Sequence, residues 1–195
     1  LVDLRADDRP RQPVLRNAVA DHAARFVGGF EIPAGWFQSV QPAFVILFAP
    51  VFSALWIALA RRNLNPAAPL KFAFGLLLMG LGFLFMVKAA GIVAGGAQSP
   101  AYFLVLTYLL HTFGELCLSP VGLSTMSKLA PARLTGLVLG VWFMATALGN
   151  KLSGTLSAGF SSKDPVALAN FFRDQAIVVG LMALVLLALV PWVRH

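Results

Sequence analysis

The chain has 195 residues and a formal net charge of +7, with 58% hydrophobic and only 12% charged residues, and its mean hydropathy is +0.80. A soluble domain carries about 25% charged residues, so this composition excludes an ordinary soluble domain and indicates an all-α, polytopic membrane protein. Positive loops between membrane spans explain the basic excess better than a nucleic-acid surface does, because no soluble domain gathers the basic residues. The single cysteine, Cys117, excludes an internal disulfide.

Residues 1–36 are polar and contain five Arg, four Asp and one Glu, so their net charge is zero. Proline and glycine interrupt them, and we interpret them as an extracytoplasmic connecting segment rather than a domain. The chain starts at Leu1 without an initiator Met or a signal-peptide pattern. We therefore expect it to be part of a longer polypeptide.

Residues 37–195 are predicted to form a transmembrane bundle of five helices, because five long apolar segments follow one another. They cover residues 38–60, 70–94, 101–128, 134–158 and 175–193. Pro50 predicts a kink in the first span. Glycines predict close helix contacts in the second span, at Gly75, Gly80 and Gly82, and in the fourth, at Gly136 and Gly140.

The charges of the loops predict the orientation of the chain in the membrane. Residues 61–71 carry three positive charges and residues 128–133 carry two, whereas residues 1–36 and 161–174 are neutral. The positive-inside rule then places residues 61–71, residues 128–133 and the C-terminus in the cytoplasm, and residues 1–36 outside. An odd number of spans in this orientation predicts a further helix before Leu1.

The third span contains a carboxylate, Glu115, in an otherwise apolar run. At about 1.5 Å of rise per residue, Glu115 lies roughly 20 Å from either end of that run. This is close to the midplane of a hydrocarbon core about 30 Å thick. A charge at this depth is costly and by default marks a substrate or ion pathway.

Other polar residues are predicted to gather near Glu115. The positions three, four and seven residues away on its helical face hold Tyr108, His111, Thr112, Ser119 and Gly122. Pro120 lacks an amide donor and predicts a bend just below Glu115. The fourth span presents a second polar face, formed by Trp142, Thr146, Gly149, Asn150 and Ser153, and the outer end of the first span contributes Gln38, Ser39 and Gln41.

Structural roles compete with this interpretation. Ser119, Thr112 and Thr146 have hydroxyls that commonly bond to carbonyls of their own helix, and Trp142 suits core packing as well as a cavity wall. His111 and Glu115 are four residues apart, but two ligands without a third make a metal site unlikely on this chain. There is no His-Glu-x-x-His motif, no glycine-rich phosphate loop and no Ser/His/Asp set, which argues against an enzyme and against a bound cofactor.

Four segments resemble the proton-dependent oligopeptide transporter family of the major facilitator superfamily. They are residues 36–42 (WFQSVQP), 71–75 (KFAFG), 114–123 (GELCLSPVGL) and 140–150 (GVWFMATALGN). The third string is long and specific, and the resemblance runs from about Phe30 to the end of the chain. It implies that the five spans are helices eight to twelve of a twelve-helix fold, the C-terminal half of the protein.

The resemblance also implies roles for individual residues. Glu115 engages the amino terminus of the peptide substrate and takes part in proton coupling, and Ser119 and Trp142 line the same cavity. Gln41 stands where the family usually has an Asn that contacts peptide. Asn150 is expected to be a further substrate contact, and Leu123, with Pro120, is expected to form part of the inner gate.

We therefore expect the C-terminal half of a proton-coupled symporter of di- and tripeptides, in a bacterial inner membrane. Its expected partners are the peptide, the lipid bilayer and an N-terminal six-helix half, which would supply the groups that hold the peptide carboxylate. The proton motive force is the only energy source expected, without a cofactor or metal. Two alternatives remain open: transport of another solute, such as nitrate or a metabolite, and a non-transporting membrane scaffold.

Overall fold

The computed structural model describes residues 34–158 and 164–193, together with three two-residue strands, Ala23–Ala24 (β1), Phe26–Val27 (β2) and Phe30–Glu31 (β3). Most of the expected connecting segment, residues 1–36, lies outside the described residues. A fourth strand, β4 (Ser99–Pro100), pairs in parallel with β1, and β2 pairs with β3 in antiparallel fashion. These pairs are the only β-structure in the described part of the chain, so the fold is essentially all-α.

Five long helices make up the bundle: α1 (Ala34–Arg61), α2 (Ala68–Ala94), α3 (Tyr102–Leu129), α4 (Thr135–Ala158) and α5 (Pro165–Val193). Four of them, α1, α2, α3 and α5, are long and apolar enough to cross a membrane. Helix α4 has 24 residues, but Asn150, Lys151 and several hydroxyl side chains lower its hydropathy. The prediction of a polytopic helical membrane protein is confirmed, and α1 runs without interruption through Pro42 and Pro50.

The predicted start of the last helix was wrong. Residues 165–174 had been assigned to a neutral loop, but α5 begins at Pro165, ten residues before the predicted start at Gln175. The carboxylate of Asp164 caps this helix, because its Oδ1 accepts bonds from the amides of Val166 (3.0 Å) and Ala167 (3.2 Å). Arg173 and Asp174 are exposed on this helix, with their side chains 3.8 Å apart.

Helix α2 forms the centre of the bundle, because it packs against both α3 and α5. At the α2–α3 contact, a Cβ added to Gly75 would lie 2.9 Å from the carbonyl oxygen of Gly114, and one added to Gly114 would lie 2.7 Å from that of Gly75. Only glycine at both positions allows the two backbones to come this close. A Cβ at Gly80 would lie 3.8 Å from the Ala176 carbonyl oxygen of α5, an ordinary van der Waals contact, and one at Gly82 would collide with His111 of α3. The predicted glycine contacts of the second span are therefore confirmed.

The predicted packing face of the fourth helix is not used within the described part of the chain. A Cβ at Gly136 or Gly140 would meet nothing within 4 Å. Helix α4 contacts mainly α3, and the residues described along its length are mostly exposed. The spacing of two glycines therefore did not predict a helix contact here.

The main hydrophobic core lies at one end of the bundle, which we call the closed end. It is formed where α1, α3 and α5 begin and α2 finishes, by Phe37, Met86, Ala90, Leu104, Tyr108, Leu168 and Phe172. These side chains are all at most 6% exposed. The closed end packs the beginning of α3 against the neighbouring helices, and the later part of α3 is less covered.

Candidate functional site

Glu115 lies midway along α3, immediately beyond the closed end, and its side chain is exposed. Helix α1 packs against this stretch of α3 through aromatic contacts, with the rings of Phe48 and Phe113 5.0 Å apart. That packing brings Gln41 to Glu115, and the Gln41 Nε2 donates a hydrogen bond of 3.3 Å to the Glu115 Oε2. Two of the predicted site residues, 74 positions apart in sequence, are therefore in direct contact.

The polar face around Glu115 is divided by the closed end. Tyr108 and Thr112 are buried, at 4% and 0% exposure, whereas Glu115 and Ser119 are exposed. The Thr112 Oγ1 donates a 2.8 Å hydrogen bond to the carbonyl of Tyr108, so Thr112 takes the structural role that competed in the sequence analysis. The accessible part of the face consequently begins at Glu115.

His111 packs against α2 next to Gly82. A Cβ at Gly82 would lie 2.5 Å from the imidazole Cδ2 of His111, and the Phe83 and His111 ring centroids are 4.7 Å apart. Among the described residues, no group of three His, Cys, Asp or Glu side chains could hold a metal ion. His111 is thus tied into the α2–α3 contact.

Trp142 attaches α4 to α3. Its ring lies directly on Gly122, where any side chain larger than hydrogen would collide with it, and Phe72 of α2 closes the same contact. Trp142 is half-buried, so part of its surface remains accessible. The Thr146 Oγ1 donates a 3.0 Å hydrogen bond to the Trp142 carbonyl of its own helix. Asn150, further along α4, is exposed.

The remaining predicted site residues lie below Glu115 on α3. Ser119, Pro120 and Leu123 are all exposed, Leu123 at 37%. Helix α3 continues through Pro120 to Leu129. These residues form a continuous exposed surface toward the end of α3 that is opposite to the closed end.

A row of aromatic residues on α1 was not foreseen from the sequence. Phe44, Phe48, Phe52 and Trp56 recur every four residues, and the rings of Phe48 and Phe52 both contact Phe113, at 5.0 and 5.2 Å. This four-residue spacing was visible in the sequence and could have predicted the face of α1 that meets α3.

Chemically, the site is a single carboxylate on an exposed helical face in the middle of a membrane span, with an amide donor beside it. A carboxylate in such a place can bind an ammonium group when ionised or take up a proton. Fold and site together define an integral membrane protein of the helical-bundle class with an ionisable mid-membrane group.

A model of the POT family (PTR2) matches residues 18–172, and the chain belongs to this family. It is 43% identical over 188 residues to the peptide transporter YePEPT of Yersinia enterocolitica subsp. palearctica, covering 95% of this chain and 37% of the relative. It is 30% identical over 157 residues to the di-/tripeptide transporter of Lactococcus lactis subsp. cremoris, covering 80% of this chain and 31% of the relative.

Solved structures agree with the family assignment. A crystal structure of a peptide transporter POT in complex with sulfate superposes with a TM-score of 0.79 at 34% identity, over 91% of this chain and 35% of that chain. A POT family transporter in complex with a thioalcohol-conjugated peptide gives 0.79 at 29% identity, over 93% and 37%. The chain therefore has the fold of part of a POT structure and spans about a third of the length of its curated relatives.

Proposed function

We propose that the chain is the C-terminal half, helices eight to twelve, of a proton-coupled symporter of di- and tripeptides. The observation that carries the proposal is the exposed Glu115 carboxylate in mid-span, in contact with Gln41 at 3.3 Å. Support comes from the relatives, which are named as peptide or di- and tripeptide transporters. All of them are transporters by name, in keeping with a protein that moves a solute without converting it.

In the proposed mechanism, Glu115 alternates between two partners. The ionised carboxylate binds the ammonium group of the peptide, and the neutral carboxyl is the form that tolerates the apolar membrane interior. Because a proton and an ammonium group compete for the same oxygens, Glu115 exchanges one for the other, and the proton that moves together with the peptide must be carried by a further ionisable group of the proposed N-terminal half. The Gln41 amide orients the carboxylate from the side of α1.

The neighbouring residues complete the proposed site. Ser119, about one turn away on the same face of α3, and Asn150 on α4 offer hydrogen-bonding groups, and Trp142 offers an apolar wall. Rocking of this bundle against the proposed N-terminal half would expose Glu115 alternately to the two sides of the membrane. Leu123 and Pro120, on the exposed surface below Glu115, would form part of the inner gate.

The proposed orientation follows the positive-inside rule. The two most positively charged loops, residues 61–71 and 128–133, lie at the same end of the bundle, opposite to the closed end. We place this end in the cytoplasm and the closed end outside, in a bacterial inner membrane. In this orientation the closed end would seal Glu115 from the outside.

The test is the variant Glu115→Gln in the full-length polypeptide. It keeps the shape of the side chain but cannot ionise, so we expect proton-driven dipeptide uptake into energised vesicles to be abolished while the amount of folded protein is unchanged. Asp174→Asn, an exposed carboxylate on α5, is the matched control and should transport normally. Full uptake by Glu115→Gln would rule out the proposal.

A counterflow panel separates the alternatives. Vesicles loaded with dipeptide should exchange it for external di- and tripeptides, and an N-acetylated dipeptide, which has no ammonium group for Glu115, should fail to exchange. The panel should include nitrate, free amino acids and 5-aminolevulinic acid, with which one POT family transporter has been solved. Exchange of nitrate alone would support a different solute, and exchange of nothing would support a scaffold.

A further inference from the structure

A cavity lies at the end of the bundle opposite to the closed end, and Glu115 is not among the residues that line it. Its volume is about 470 Å³, and it is an open cleft bordered by the last turns of α1, the α1–α2 loop, the start of α2 and the last turns of α3. The residues that line it are Trp56, Asn65, Pro66, Ala67, Ala68, Lys71, Pro120, Val121, Ser124, Thr125 and Lys128. Only Pro120 is shared with the predicted gate, and the size is that of a small-ligand site.

The charge of this cavity is entirely positive. Lys71 and Lys128 line it, and no carboxylate is among the described residues around it. Lys71 is only 8% exposed, and its Nζ lies 4.3 Å from the centroid of the Trp56 ring. A buried ammonium group normally requires a negatively charged or hydrogen-bonding partner, and the face of an indole supplies only part of that stabilisation.

Hydrogen-bond donors also surround the cavity. The Nε1 of Trp56 is buried and has no hydrogen-bond partner within the described part of the chain. Ser124, Thr125 and Asn65 add hydroxyl and amide donors. A lining with two cations, hydroxyl and amide donors and no anion matches a ligand that is negatively charged and accepts hydrogen bonds.

The start of α2 adds to this match. Its cap residue, Ala67, offers no side-chain hydrogen bond, and the first turn of α2 contains no acidic residue. The free amide groups at a helix N-terminus, together with the helix dipole, favour an anion. Ala67 and Ala68 line the cavity directly. Pro69 has no amide hydrogen, and the amides of Leu70 and Lys71 already donate to the Ala67 carbonyl at 2.9 and 3.2 Å, so it is mainly the helix dipole that adjoins the same space as Lys71.

We propose that this cavity binds a phosphate group, and that in the membrane the group is the phosphate of an anionic lipid headgroup. The cavity lies where α1 ends and α2 begins, at the depth of the membrane surface, and basic pockets between helices at that depth recognise such headgroups. The apolar walls formed by Trp56, Pro120 and Val121 suit the glycerol part of the lipid. A bound headgroup would connect the α1–α2 loop to the end of α3.

The experiment measures lipid retention by native mass spectrometry of the full-length protein, purified from nanodiscs that contain phosphatidylglycerol or phosphatidylcholine. The variants are Lys128→Glu, at an exposed position that does not disturb packing, and Lys71→Gln with Lys128→Gln. Lys88→Gln is the matched control, because Lys88 is an exposed lysine on α2 outside the cavity. A second arm measures the melting temperature in inorganic phosphate against chloride of equal ionic strength.

We expect the wild type and Lys88→Gln to retain phosphatidylglycerol over phosphatidylcholine, and each lost lysine to reduce that retention about fivefold. A rise in melting temperature with inorganic phosphate that disappears in Lys128→Glu would assign free phosphate as a ligand as well. If Lys128→Glu retains phosphatidylglycerol as Lys88→Gln does and phosphate gives no rise, the proposal is overturned. Because the readouts are binding and melting, they are independent of peptide transport.

Discussion

Helices α2 and α4 are alike in sequence and different in packing. Both are glycine-rich, with 27 and 24 residues. In α2, Gly75, Gly80 and Gly82 each lie against a neighbouring helix, whereas in α4 a Cβ at Gly136, Gly140, Gly149 or Gly154 would meet nothing within 4 Å. Glycine content makes close packing possible, but a partner must present a matching surface.

The difference separates the bundle into a tightly packed part and a loosely attached part. Helices α2, α3 and α5 share the core and the glycine contacts, and this unit carries Glu115. Helix α4 is attached mainly to α3, with the ring of Trp142 on Gly122 as its closest contact. We expect mutations of equal chemistry to have unequal effects in the two parts.

The largest difference in the free energy of unfolding is expected between alanine variants of two phenylalanines. Phe172→Ala removes a ring that is 6% exposed from the core of the closed end, and should lower the free energy of unfolding by about 3–5 kcal/mol. Phe143→Ala removes a ring that is 60% exposed from α4, and should change it by less than about 0.5 kcal/mol. Equilibrium unfolding in mixed detergent micelles measures both, and equal losses would show that α4 packs as tightly as α5.

Replacing each of two glycines with alanine is expected to change the free energy of unfolding in opposite directions. Gly114→Ala places a methyl group 2.7 Å from the Gly75 carbonyl oxygen, which forces α2 and α3 apart and should cost about 1–3 kcal/mol. Gly140→Ala enters open space in α4, where replacing glycine by alanine stabilises a helix by up to about 1 kcal/mol. The same unfolding measurement applies. Destabilisation by Gly140→Ala would reveal a contact on α4.

The smallest effect is expected where α1 meets the packed part at Glu115. Gln41→Asn shortens a side chain that reaches Glu115 at 3.3 Å, so the hydrogen bond should be lost. Loss of a hydrogen bond of this kind should raise the apparent KM for dipeptide uptake about two- to fivefold, with protein stability unchanged. Ser39→Ala, on the same helix at an exposed position, is the control. An unchanged KM for Gln41→Asn would argue against an orienting role.

Much of the architecture could be predicted one helix at a time. Helix α3 was predicted over residues 101–128 and is observed as Tyr102–Leu129, because span length and loop chemistry are local properties. The error at α5 was also local: Asp164 followed by Pro165 is a helix-start signal. The charges of Arg173 and Asp174 further along the helix are tolerated because both side chains are exposed.

The candidate site could be predicted only in part. The position of Glu115 in mid-span and the string at residues 114–123 were sufficient to select the residue and the family. That Thr112 would be buried and Glu115 exposed on almost the same helical face could not be predicted. Burial changes along α3 because the core of the closed end, to which α1, α2 and α5 also contribute, encloses only its beginning, and this depends on how the helices cross.

The amino-acid sequence was enough to establish the membrane class, the helices, the family and the depth of Glu115, since hydropathy and motifs are sums over neighbouring residues. Three features depended on the three-dimensional arrangement. Gln41 is paired with Glu115, α2 rather than α4 is the central helix, and Lys71 is buried against the face of the Trp56 ring. Membrane helices are apolar on nearly every side, so their periodicity does not reveal which side meets a partner. Only the rotation and crossing of whole helices decide those contacts.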